Sequence, residues 1–69
     1  MLLKELMINT NEKIGAKIHV KGYKRFIDYI ETDDIVNCQK LTPYLNFNIY
    51  QLILYKNENN KLYFGMLLK

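Results

Sequence analysis

Few side chains in this sequence could support catalysis or hold a metal ion. The chain of 69 residues has one Cys (Cys38), one His (His19) and no Ser. Nucleophilic catalysis needs a hydroxyl, thiol or amine beside an activating base, and a structural zinc site needs four ligands. Cys38 lies in an apolar-leaning stretch, which predicts a small buried hydrophobe, and His19 is expected on the surface. We therefore predict no enzyme activity, no metal and no cofactor.

The stretch KIHVKGYKR, residues 17–25, carries the most distinctive polar pattern. In an extended chain its alternate side chains project from one face of a strand. Cations along a strand neutralise phosphates, and a His or Tyr ring stacks on an unpaired base. The pattern fits either a basic β-domain that binds single-stranded nucleic acid or a plain solvated face, since lysines also protect strand edges. The nucleic-acid alternative uses Lys17, His19, Lys21, Tyr23, Lys24 and Arg25.

Four of the seven acidic residues follow directly, between positions 28 and 34. Their spacing lacks the alternating oxygen ligands and the final Glu of an EF-hand, so we interpret the segment as a solvated turn. A basic block beside an acidic block orients a protein partner better than it binds a uniform polyanion.

Length and composition indicate one small domain, residues 1–69, that is rich enough in apolar residues to fold. Hydrophobic residues make up 49% of the chain and the formal net charge is +3. A single Cys excludes an internal disulfide, so stability must come from a dense core or from a partner. Lys4 and Glu5 interrupt the apolar start before a signal-peptide core can form, and no run reaches the roughly 20 apolar residues of a membrane span. We expect a soluble, cytoplasmic protein that does not associate with membranes.

Hydrophobic periodicity predicts the elements. Leu2, Leu3, Leu6 and Met7 form one stripe of a short N-terminal helix, with a strand as the alternative. IGAKIHVK alternates apolar and polar residues, which predicts a half-buried strand. Residues 23–41 fit either helices or two strands, RFIDYIE and DIVNCQKL, and their β-branched and aromatic content favours strands.

The C-terminal segment NFNIYQLILYKNENNKLYFGMLLK predicts a hairpin that is apolar on both faces. A loop of two or four residues in NENN pairs Tyr55 with Leu62 and leaves Gly65 opposite Leu52, where the missing side chain makes a dent. One face of this hairpin then carries Tyr50, Leu52, Leu54, Tyr63 and Leu67. The predicted fold is mainly β (α+β): a small twisted antiparallel sheet or open barrel with this hairpin and the N-terminal helix.

The preferred function is a non-catalytic protein-binding module that uses this second hairpin face, because large exposed apolar patches mark interaction sites and Tyr is enriched at interface hot spots. Small size and a composition typical of an AT-rich genome suggest a phage or mobile-element accessory protein that inhibits a larger host protein by occlusion. The alternatives are the nucleic-acid module above and a homo-oligomer that encloses a small ligand.

Overall fold

The computed structural model describes residues 1–69 and shows an open, mixed four-stranded sheet with helical cover on one side. The elements are α1 (Leu3–Ile8), β1 (Gly15–Lys21), β2 (Phe26–Thr32), a 3₁₀ helix (Gln39–Tyr44), β3 (Ile49–Lys56) and β4 (Leu62–Leu68). The strand order is β2-β1-β4-β3. The predicted mainly β, α+β class is confirmed, as are the short N-terminal helix and the C-terminal hairpin.

Both outer strand pairs are antiparallel, whereas the central pair of β1 and β4 is parallel. Residues 33–48 carry the chain from one edge of the sheet to the other, where β3 forms the far edge. The hairpin then returns β4 to the centre beside β1. A parallel pair needs a crossover of this length, since a short turn joins only antiparallel strands.

The alternation in β1 has the predicted structural effect. Ala16, Ile18 and Val20 are fully buried, while Lys17 and His19 on the opposite face are exposed. The prediction of a half-buried strand is confirmed.

One of the two strands favoured for residues 23–41 is present as β2, but DIVNCQKL is not a strand. The Asp34 carboxylate accepts hydrogen bonds from the Val36 N–H at 3.2 Å and the Asn37 side-chain amide at 2.8 Å. These local bonds replace the ladder bonds of a strand. The turn buries Ile35, whose N–H donates to the Ile14 carbonyl at 2.8 Å.

The core lies between one face of the sheet and the layer formed by α1, the turn after β2 and the 3₁₀ helix. Leu3, Ile35 and Leu41 from this layer are fully buried against the sheet. The Glu5 carboxylate accepts the Leu2 N–H at 2.9 Å, which satisfies a free donor at the start of α1. Leu6 is half-buried against the same core, so the predicted apolar stripe of α1 does cover the sheet.

The hairpin register differs from the prediction by one residue. The Asn57 N–H bonds to the Lys61 carbonyl at 2.9 Å, which leaves three residues, 58–60, in the loop. Asn60 has φ of 62°, a left-handed conformation that Asn tolerates and three-residue hairpin loops require. Leu62 therefore pairs with Lys56 rather than Tyr55. The predicted even-length loop was wrong, and an odd-length loop moves the side chains of one strand to the other face.

Candidate protein-binding surface

The sheet face opposite α1 is not covered by any part of the chain, and we call it the open face. All four strands contribute side chains to it in register, row by row. The first row is Glu31, Lys17, Gly65 and Ile53, and the second is Tyr29, His19, Leu67 and Gln51. A third row adds Gly15, Tyr63 and Tyr55. The open face is thus largely aromatic and aliphatic, with its charges towards the β2 side.

A groove of about 440 Å³ crosses the middle of the open face. Gly65 forms part of its floor, with Ile53 and Tyr55 on one side and His19 and Phe26 on the other. A Cβ at position 65 would lie 3.0 Å from Ile53 Cγ1, so the absent side chain creates the depression. The structure thus has the predicted dent, with Ile53 rather than Leu52 as the cross-strand neighbour.

Three aromatic rings lie together at the β2 side of this groove. The His19 ring centroid is 4.6 Å from that of Tyr29 and 5.6 Å from that of Phe26, and both pairs are tilted. Phe26 reaches this face because β2 has an irregularity at Ile27, which shifts Phe26 into register with Lys21. The cluster places three aromatic rings side by side at the surface.

The Tyr63 ring closes one end of the open face. Its hydroxyl donates a hydrogen bond to the Asp33 carboxylate. This bond first, and burial second, raise the pKa of Tyr63 to about 12. The ring reaches Asp33 by lying over Gly15, where a Cβ would be 2.6 Å from ring atoms Cε2 and Cζ. Gly15 is therefore required for this contact.

The charges of the open face are partly paired. Lys17 Nζ lies 3.5 Å from Glu31 Oε1, and both side chains are about half exposed. The pKa of Lys17 is raised, first by the charge that Tyr55 acquires on ionising and next by Glu31. An exposed pair of this kind adds little to stability.

The residues predicted for protein binding do not share one face. Tyr63 and Leu67 lie on the open face, whereas Leu52 and Leu54 point to the opposite side of the sheet. Tyr50 sits at an irregularity between Ile49 and Gln51, with its side chain exposed. The expectation of one continuous patch was wrong, because the odd-length hairpin loop offsets β3 against β4.

Only three of the six residues predicted for nucleic-acid binding lie on the open face. Lys17, His19 and Lys21 project from the open face as expected. The chain then turns, since the Gly22 N–H bonds to the Arg25 carbonyl at 2.7 Å and Lys24 has φ of 71°. Tyr23, Lys24 and Arg25 therefore lie in the turn and do not continue the row.

Sequence reasoning missed several open-face residues: Phe26, Tyr29, Ile53 and Tyr55. A signal for Phe26 was present, because a β1–β2 hairpin with its turn at residues 22–25 pairs Phe26 with Lys21. The same hairpin without the irregularity at Ile27 would pair His19 with Asp28, so no local signal placed Tyr29 opposite His19. No local signal identifies Ile53 and Tyr55, since their face depends on the hairpin loop and on the distant pairing of β4 with β1.

Other features of the chain add no second site. Cys38 is half-buried and packs against the core, on the covered side of the sheet. No three His, Cys, Asp or Glu side chains come together as a metal centre requires, and no helix is long and apolar enough to cross a membrane. Comparisons with models of protein families, with curated proteins and with solved structures find no match to this chain.

Proposed function

We propose that this protein is a non-catalytic protein-binding module that docks through the open face. The observation that carries the proposal is an uncovered apolar groove on a sheet whose other face packs against the core along β1 and β4. Phe26 is 60% exposed and Ile53 is 62% exposed, on opposite sides of this groove. Such a patch on a small protein is typical of an interaction site.

The partner we propose is a larger protein that presents an apolar side chain flanked by acidic residues. The apolar side chain would enter the groove between Ile53 and Phe26. Lys17 lines the groove, Lys21 is paired with the groove residue Phe26, and the turn between β1 and β2 carries Lys24 and Arg25. Complementary charge of this kind sets orientation and association rate more than affinity.

The affinity would come from the side chains that lose water. Full burial of a large apolar side chain is worth about 1.5–3 kcal/mol, and Ile53, Phe26 and Tyr29 are each about half exposed. For each of these side chains, roughly half of this burial free energy can still be gained when a partner covers it. Aromatic residues near the centre of an interface are common hot spots.

The finer proposal is that docking inhibits the partner by occlusion, as expected for a phage or mobile-element accessory protein. Small size and composition support this proposal, and occlusion needs no reactive group. A compact sheet that covers a functional surface is sufficient.

One observation favours a second candidate, the binding of single-stranded nucleic acid. The His19, Tyr29 and Phe26 rings lie beside Lys17 and Lys21, and stacking on such rings is the usual mode of strand binding. Glu31 and Asp33 at the same face would repel phosphates. The aliphatic groove and these acids favour a protein partner.

A displayed library of random peptides separates the two candidates. Selection on the wild-type chain, with removal of clones that bind the Ile53→Asp variant, should enrich an apolar residue next to Asp or Glu. Ile8→Asp is the matched control, because Ile8 is 78% exposed on α1, away from the open face.

The proposal fails if the selected peptides bind the Ile53→Asp and wild-type chains equally well. It also fails if no peptide is enriched and a fluorescent oligothymidine binds to the wild-type chain but not to the Lys17→Glu/Lys21→Glu double variant. That second result would establish the nucleic-acid candidate.

A further inference from the structure

Strand β3 is exposed on both sides of the sheet, because the covering layer ends at β4. In one row across the covered face, Met66 on β4 is 5% exposed and its neighbour Leu52 on β3 is 38% exposed. In the next row Phe64 on β4 is 9% exposed and its neighbour Leu54 on β3 is 56% exposed. Ile53 is exposed on the open face, so β3 presents apolar side chains in both directions.

The outer edge of β3 also presents unpaired backbone groups. The Asn57–Lys61 pair is hydrogen-bonded, and bonded pairs alternate with non-bonded pairs along an antiparallel ladder. The N–H and C=O groups of Leu52, Leu54 and Lys56 therefore point away from β4. Only the start of the edge is occupied, where the Ile49 N–H donates to the Met1 carbonyl at 2.8 Å.

The two edges of the sheet differ in how they resist pairing. Natural edge strands avoid association with charges, prolines or bulges. Edge strand β2 carries Asp28 and Glu31 and an irregularity near its start. Edge strand β3 has no charged residue or proline between Ile49 and Tyr55, and its irregularity lies at its beginning.

We propose that β3 pairs antiparallel with β3 of a second copy, around a two-fold axis at Ile53, to form a continuous eight-stranded sheet. In this register Leu52 faces Leu54 of the second copy, and both residues have outward-pointing backbone groups that can bond. Gln51 faces Tyr55, and Lys56 faces the exposed Tyr50. No charged residues of β3 oppose each other, although Lys69 Nζ lies 4.9 Å from the centroid of the Tyr50 ring and is a like charge near Lys56 of the second copy.

The size of the interface sets its strength. Stable complexes bury about 800 Å² on each partner, which is more than a single strand edge with its flanking side chains provides. We therefore expect a reversible dimer that dissociates on dilution. Pairing would bury Leu52 and Leu54 on one side of the sheet, and Ile53 and Tyr55 on the other.

This proposal does not depend on the identity of any partner of the open face, but the two surfaces share Ile53 and Tyr55, which line the groove and would lie beside the two-fold axis. The dimer keeps both open faces on the same side of the joined sheet, so the two grooves lie side by side. It differs from a homo-oligomer that encloses a small ligand, in which the two open faces would have to face each other.

Light scattering after size-exclusion chromatography, over a wide range of loading concentrations, tests the association. The wild-type mass should approach twice the chain mass at high concentration. Leu54→Lys, which places a charge on the edge, should give a monomer, and Ile8→Lys should behave as the wild type. Leu54→Pro gives a second test, because it removes an outward-pointing N–H that makes no ladder bond to β4. Circular dichroism confirms that each variant is folded.

Cross-linking tests the register independently of these variants. Opposed residues in a non-bonded antiparallel pair have Cα atoms about 4.5 Å apart, which suits a disulfide. In a Cys38→Ala background, Ile53→Cys should form a covalent dimer under mild oxidation far faster than Tyr55→Cys. Equal rates would overturn the register. A wild-type chain that is monomeric at every concentration, or a dimer that survives both Leu54 substitutions, would overturn the proposal.

Discussion

Substitution of Gly15 by Ala tests whether the closed end of the open face depends on a missing side chain. The new Cβ would lie 2.6 Å from two ring atoms of Tyr63 and 2.9 Å from the Thr32 carbonyl oxygen. Thr32 is paired with Ala16 in the β1–β2 ladder and cannot retreat. The Tyr63 ring must therefore move, and it then loses its hydrogen bond to Asp33.

The expected loss of stability is large for a chain of this size. Overpacking in a packed site costs about 1–3 kcal/mol, and the loss of the Asp33 contact places Gly15→Ala at about 2–3 kcal/mol. A chain of 69 residues has a total stability of roughly 3–10 kcal/mol. Each kcal/mol shifts the Tm of such a domain by about 4–8 °C, so a decrease of about 10–20 °C is expected.

Gly65→Ala is the matched control for this substitution. Its Cβ would meet Ile53 Cγ1 at 3.0 Å, but Ile53 is exposed and can rotate away. We expect a change below about 1 kcal/mol. Thermal and urea unfolding, followed by circular dichroism, measure both variants.

A double-mutant cycle tests whether the Tyr63 ring causes the loss of stability in Gly15→Ala. In a Tyr63→Ala background the clash with the ring is absent, while the 2.9 Å approach to the Thr32 carbonyl oxygen remains, so Gly15→Ala should cost less than it does in the wild type. An equal cost in both backgrounds would show that the Tyr63 ring is not the cause. A cost for Gly15→Ala no larger than that for Gly65→Ala would refute the reasoning as well.

Three further outcomes are expected. Alkaline absorbance titration should show Tyr63 ionising near pH 12, above its ordinary pKa of 10.0, and Tyr63→Phe should remove that step. The Asp33 bond disfavours the phenolate, so its contribution to stability is complete below pH 10 and is lost as the pH rises towards 12. Lys24→Gly should raise stability by roughly 0.5–1 kcal/mol in urea unfolding, because Gly adopts the left-handed conformation of this turn without strain; an unchanged midpoint would contradict this. Asp34→Ala should lower the Tm more than Asp34→Asn, which keeps an acceptor for the Val36 N–H. The pKa of Asp34 is lowered, chiefly by the Asn37 bond, so the wild-type advantage should disappear as the pH falls below 3.8.

The elements predicted correctly are those that a local pattern defines. Alternation along residues 14–20 identifies β1 and its buried face, and the spacing of Leu3 and Leu6 identifies α1. In both elements the residues that repeat on one side are the residues that the core buries, so short-range periodicity is sufficient.

The hairpin shows why the faces of β3 and β4 could not be assigned in the same way. Both strands are apolar at consecutive positions, so no alternation reveals a register error. The register depends on the loop, where the Asn57 side chain accepts the N–H groups of Asn59 at 3.0 Å and Lys61 at 2.9 Å. These bonds stabilise a three-residue loop, which the sequence alone does not distinguish from a loop of two or four residues.

The candidate site was only partly predictable for a related reason. The cationic residues Lys17, His19 and Lys21 were found because they lie on one strand. The groove around Gly65 requires β4 to lie beside β1 and β3 beside β4, and no local pattern encodes the parallel pair.

The parallel pairing of β1 and β4 also determines the order in which the sheet can be completed. The β1–β2 and β3–β4 pairs close through short turns and can form as independent hairpins on a microsecond timescale. When the two hairpins join, Gly15 of β1 comes to lie opposite Tyr63 of β4, far away in the sequence. Closing the long connection between them costs conformational entropy. Non-local pairing of this kind slows folding. During synthesis the inner edge of β1 therefore stays unpaired until β4, which follows the other three strands of the sheet in the chain, has left the ribosome.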